Sequence, residues 1–170
     1  MLTIIEELKV RNVIIGKQFE KSENLEKFLE IAKSKNILVS VVEVGSRIDI
    51  EKNLYFDVLW PSSLQPISEN CINNNALVCK LKYNNFSILF TGDIEEEAER
   101  VLTSKYTGRN TLKSTVLKVA HHGSKSSSSE EFLKLLQPKV ALIGVGKNNT
   151  FGHPNSDVIE RLNKLRCKNL

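Results

Sequence analysis

The sequence predicts an α/β fold with mixed rather than purely parallel sheets. Two observations carry that expectation. Strand-like and helix-like segments alternate along most of the 170 residues. Between them lies a hairpin, Ala76–Tyr83 and Phe86–Phe90 flanking Asn84-Asn85, a turn pair that tolerates positive φ. With 41% hydrophobic residues the chain can bury one sizeable core, so residues 1–170 are expected to form one domain. Glycine and proline are too few for a disordered or collagen-like chain.

The elements follow in order. Leu2 to Leu8 places Leu2, Ile4, Ile5 and Leu8 at helical spacing. Asn12–Ile15 reads as a short strand. Ser22 is a good N-cap for a helix with Leu25, Phe28, Leu29 and Ala32 on one face. Ile37–Val44 is β-branched and nearly continuous, as a strand covered on both faces would be. Strands are expected at Arg47–Ile50 and Tyr55–Trp60, then a polar loop from Pro61 to Asn75. After the hairpin, Thr91-Gly92-Asp93 leads into an acidic helix, Ile94–Leu102. Thr115–Ala120 is a strand ending on His121-His122-Gly123, and the serines 124–129 open a helix through Leu136. Lys139–Gly144 is the next strand, and Asp157–Leu165 the last helix. No internal repeat is evident.

The formal charge of +4 permits an anionic partner without demanding one. Cys71, Cys79 and Cys167 are odd in number, and no C-x-x-C occurs. They therefore suit neither a disulfide framework nor a thiolate zinc site, and are expected to be buried free thiols. No apolar run approaches the ~18–20 residues of a membrane span. The acidic Glu6-Glu7 stands where a signal peptide is basic. As written, the chain reads as soluble and cytoplasmic.

Three segments share one arrangement, in which a strand ends, the chain turns, and a metal-capable side chain sits on the turn. They are Phe90-Thr91-Gly92-Asp93, Val119-Ala120-His121-His122-Gly123-Ser124 and Phe151-Gly152-His153-Pro154. Ligands bind on such loops at the carboxyl ends of strands in α/β sheets. Imidazole and carboxylate suit zinc or manganese, which can generate hydroxide near neutral pH. Each residue also has an ordinary role. Asp93 before a helix can be an N-cap, and adjacent loop histidines are commonly solvated. Asn73-Asn74-Asn75 reads as a turn and Glu95-Glu96-Glu97 as the solvated first turn of a helix. The serines from Ser124 can cap a helix or bind a phosphate.

Asp57-Val58-Leu59-Trp60-Pro61, Asn74-Asn75-Ala76-Leu77-Val78, Leu89–Asp93, Leu117–Ser124 and Gly152-His153-Pro154 resemble, in this order, the C-terminal hydrolase domain of ComEC-type competence proteins. The similarity runs from Met1 to about Leu165. The resemblance implies a metallo-β-lactamase-like αββα sandwich with mixed sheets, incomplete at the N-terminus, and a dinuclear metal site. It implies that Asp93 bridges two metal ions and that the His121-His122 pair supplies one ligand, the other histidine lying beside the substrate. It leaves open which of the two ligates. His153, Ser124 and Asn75 would lie toward the substrate, and the reaction would be phosphodiester hydrolysis, with DNA as the substrate class. The family's domain works outside the membrane.

Two departures qualify this. The family's His-x-Asp-x-Asp-His run has no match, since no histidine precedes His121; the resemblance places Met1 just after that run. Ala76 stands where the family usually has serine. Asp93 and one histidine cannot hold two ions tightly, so at most a weak single-ion site is expected, with His153 or Asp57 recruited. A hydrolase impaired in this form is the leading expectation. Missing strands would leave a sheet edge and apolar surface open to self-association. The alternative is a non-catalytic nucleic-acid binder or an inactive fragment: residues 111–170 hold ten Lys/Arg against four acids.

Overall fold

The computed structural model describes residues 2–165 and 167–170. It is a mixed α/β structure, as the alternating pattern predicts. A short helix α1 (Leu2–Glu7) precedes strand β1 (Asn12–Gly16), helix α2 (Glu23–Ser34) and strand β2 (Leu38–Val42). Then come β3 (Arg47–Glu51), β4 (Leu54–Trp60), the one-turn helix α3 (Cys71–Asn74), β5 (Val78–Tyr83), β6 (Phe86–Phe90) and α4 (Glu96–Tyr106). The chain ends with β7 (Val116–Lys118), a 3₁₀ turn (Ala120–Gly123), α5 (Glu130–Leu136), β8 (Val140–Leu142), α6 (Ser156–Lys164) and the two-residue β9 (Lys168–Asn169).

Strands β1 and β2 pair in parallel and form a sheet of their own. The other seven lie in the order β3-β4-β5-β6-β7-β8-β9. Neighbours are antiparallel from β3 to β6 and parallel from β6 to β9. The hairpin sets the first half: Asn84 adopts φ 50° in the β5–β6 turn, a conformation asparagine tolerates better than most residues. The βα crossovers set the second half, because parallel neighbours need a long connection. Helices α4, α5 and α6 place Ala98, Leu102, Phe132, Leu133, Val158 and Leu162 in one core with Leu89, Leu117 and Ala141 of the sheet.

Several expected boundaries shift. The acidic helix begins at Glu96, not Ile94: Gly92-Asp93 form the turn, and Glu95 is still extended at φ -115°, ψ -178°. Asp93 is not its N-cap. Glu95 holds that position without a side-chain cap, and the buried Asn74 carboxamide accepts hydrogen bonds from the Glu95 and Ala98 amides instead. Ser22 does cap α2, accepting from the Leu25 amide at 3.2 Å. The strand expected at Ile37–Val44 is shorter and is not covered on both faces: Leu38 and Val41 are 64% and 56% exposed. The strands expected to reach Ala120 and Gly144 stop at Lys118 and Leu142. Of the three thiols only Cys167 is fully buried; Cys71 and Cys79 are half-buried. Burial pushes the Cys79 thiol up to about 11. Among the described residues no helix is long and apolar enough to cross a membrane.

Candidate functional site

Strands β6, β7 and β8 are adjacent and parallel, so their carboxyl ends, Phe90, Lys118 and Leu142, lie on one edge of the sheet. The three motif loops leave from that edge and are tied together there. The His121 amide donates to Gly92 O at 3.0 Å, and Thr91 Oγ1 donates to Lys118 O at 2.6 Å. The Asn155 amide donates to Gly123 O at 2.9 Å. Gly123 has φ 78°, and a Cβ there would lie 2.8 Å from Cβ of Pro154. Only glycine fits that junction.

His121 and His122 both adopt left-handed backbone conformations, φ 45° and 55°. Two consecutive non-glycine residues in this region are costly, and such strain concentrates at functional sites. The turn sends the two rings to different neighbours. His122 Nδ1 lies 2.5 Å from Gly144 O. A carbonyl only accepts, so Nδ1 carries the proton and Nε2 of the neutral ring keeps its lone pair. That Nε2 lies 3.7 Å from Asp93 Oδ1, and both side chains are half exposed. Two electron-pair donors facing each other at this separation suit a shared cation or a protonated imidazole. Metal-binding histidines are held in the same way, through the ring nitrogen that does not ligate.

His121 is set differently. Its Nδ1 lies 3.2 Å from Glu95 Oε1, out of line for a hydrogen bond, and is buried without a hydrogen-bond partner. Its ring stands edge-on to His153 at 5.9 Å. Glu95 is itself held, accepting from Ser126 Oγ at 3.1 Å and Asn70 Nδ2 at 2.8 Å. The sequence places Glu95 in a solvated helical turn; the structure puts its side chain, 17% exposed, against His121. Lys118 is a second neighbour that sequence pattern does not single out. Its Nζ donates to Val119 O at 3.0 Å, and burial lowers its pKa while the nearby Asp93 carboxylate partly offsets that shift.

The remaining expected residues separate. His153 joins the cluster through His121, and its Nδ1 is buried without a hydrogen-bond partner. Ser124 sits beside the histidines, its Oγ 3.0 Å from Ser126 Oγ. Asn75 is buried, and its amide is occupied by the Ile67 backbone and Cys71 O, so it holds the loop rather than facing the site. Asp57 is paired with Arg47 at 2.8 Å on the antiparallel side of the sheet. Ala76 lies against Gly92, where a Cβ would meet its own at 3.1 Å. Among the described residues no group of three or more His, Cys, Asp or Glu is gathered closely enough to hold a metal ion. Asp93 and His122 make a pair, and a pair falls short of the three or four protein ligands of a zinc site.

The molecule is thus a mixed α/β protein with a histidine–carboxylate cluster at the carboxyl ends of its parallel strands. No family model matches the chain. It is 38% identical over 156 residues to ComE operon protein 3 of Bacillus subtilis, covering 92% of this chain and 19% of that protein. Recombination protein 2 of Haemophilus influenzae is 33% identical over 115 residues, 68% of this chain and 14% of that protein. Competence protein ComA of Neisseria gonorrhoeae is 33% identical over 120 residues, 69% and 17%. The chain therefore spans less than a fifth of the length of these relatives. Their names support a competence and DNA-uptake family for this stretch of sequence.

Proposed function

We propose that this chain contributes the Asp93–His122 part of a phosphodiester-hydrolysing centre of metallo-β-lactamase type that acts on DNA during uptake. The observation that carries the reading is the locked imidazole: Nδ1 bound to Gly144 O and Nε2 turned to Asp93. Zinc or manganese is the ion this pair suits. Among the described residues no third ligand is gathered beside this pair. What this chain supplies is a half-exposed carboxylate, an imidazole held through Nδ1, and the Lys118 ammonium near Asp93 as positive charge for an anionic phosphate.

The test is calorimetric titration of zinc and manganese into the chain and into Asp93→Ala and His122→Ala variants, with cleavage of labelled DNA followed in parallel. Weak binding that both substitutions abolish is expected, and any cleavage should need the added ion and Asp93. Binding indifferent to both substitutions, or no binding at saturating ion, would overturn the reading.

A second reading, a purely electrostatic nucleic-acid binder, is favoured by the exposed Lys113, Lys125, Lys139 and Lys147. Lys134 and Lys164 are instead paired with Glu130 and Glu160 on their own helices. Such a binder would ignore chelator and weaken steeply with salt.

A further inference from the structure

Phe151 is 79% exposed on the loop between β8 and α6, while most of the other aromatic rings of the chain are at least half covered. It is also held in a defined orientation. Its ring stacks on His153 with centroids 5.9 Å apart and planes 20° from parallel. His153 stands edge-on to His121, so three rings run from the loop tip to the turn that carries His122. The Asn149 side chain fixes the loop beneath them: its Nδ2 donates to Gly146 O and His153 O, and its Oδ1 accepts from the His153 amide. Nothing in the core needs this phenylalanine, and a solvent-facing loop position is ordinarily polar. The ring lies nearly parallel to His153 and stays largely open to solvent.

The charge around it selects an anionic partner. Lys147 is exposed four residues earlier on the same loop, and Lys118 lies beside Asp93. An exposed ring on a loop that also carries an exposed lysine matches a strand with bases to stack and phosphates to neutralise. We propose that Phe151 is a stacking platform for a nucleobase of a single-stranded polynucleotide whose phosphate lies at Asp93–His122. The proposal rests on the reading of that pair as the reaction centre, and it narrows the substrate to strands with unpaired bases. A base inside a duplex is stacked on both faces and has none free for this ring.

The experiment replaces Phe151 with tryptophan and with alanine in the full 170-residue chain. Trp60 is completely buried, so a tryptophan at 151 is the one indole that a ligand can reach. A single-stranded oligothymidylate is expected to quench F151W, whereas an abasic oligonucleotide of equal length and a duplex leave it bright. In fluorescence anisotropy F151A should bind the same single strand roughly 5- to 150-fold more weakly, the range that base–aromatic stacking spans, with F151W restoring affinity. Equal binding by wild type and F151A, a bound strand that leaves F151W unquenched, or no binding by the wild type would each overturn the proposal. An Asp93→Ala/His122→Ala background separates the two ideas. Metal binding should be lost there, while the ratio of F151W to F151A affinities for the single strand should stay the same.

Discussion

Phe132 and Phe28 are both almost fully buried, 1% and 3% exposed, yet they sit in cores of different kinds. Phe132 belongs to the cluster that α4, α5 and α6 make with the seven-stranded sheet, enclosed on every side. Phe28 belongs to a cluster of four buried residues, with Ile5, Ala32 and Ile37, under a two-stranded parallel sheet. A cleft lined by Leu2, Ile15, Leu25 and Leu77 opens beside it. Parallel strands are normally covered on both faces, but here Ile14, Leu38 and Val41 face solvent. The candidate site sits wholly on the enclosed side, so its geometry is anchored in the part of the molecule whose packing is complete.

Four substitutions probe that contrast. Phe132→Ala should be the most damaging, at about 3–5 kcal/mol in urea unfolding, because its surroundings cannot collapse into the gap. Glu99→Gln comes next, at roughly 2–3 kcal/mol. The completely buried Glu99 carboxylate accepts from the Ser128 and Ser129 amides, and glutamine presents an NH₂ to one of them. Phe28→Ala should cost only about 1–2 kcal/mol, since the open cleft lets water or neighbouring side chains take up the space. Leu38→Lys should change stability by less than about 0.5 kcal/mol if that face is bare. A larger loss for Leu38→Lys, together with concentration-dependent sedimentation, would show that a second copy covers the face.

Glu99 also sets a pH dependence. Burial raises its pKa in the folded state, with the Ser129 and Ser128 hydrogen bonds and Arg161 acting in the opposite sense. The stability carried by its proton is complete below the unfolded carboxyl pKa and is lost as pH rises through the raised folded value. Relative to Glu99→Gln, which has no such proton, the wild type should therefore gain stability between pH 7.5 and pH 5. Paired urea titrations at the two pH values measure it.

The enclosed half was largely legible from sequence. The Asn84 turn, the strand–turn segments carrying Asp93, His121-His122 and His153, and the amphipathic helices are local patterns, and parallel pairing then brings the three motif loops to one edge. What pattern could not reveal depends on contacts between loops. Glu95 lies in an acidic run that suits a solvated turn, and only the approach of Ser126 and Asn70 turns its side chain toward His121. Asn74 looks like turn residue but caps α4 across 21 positions. The apolar run at Ile37–Val44 states what a strand can bury; Leu38 and Val41 show that the described residues do not bury it. The adjacent histidines are equivalent in sequence and become distinct only through Gly144 O and Glu95.

That distinction is the centre of the account and can be measured directly. Nitrogen-15 imidazole spectra of the chain, followed through a zinc titration, report which ring nitrogen of each histidine carries a proton and which meets the ion. His122 is expected as the Nδ1–H tautomer, with an Nε2 resonance that moves on zinc addition and stays still in Asp93→Ala. An Nε2–H tautomer at His122, or a zinc response confined to His121, would contradict the assignment.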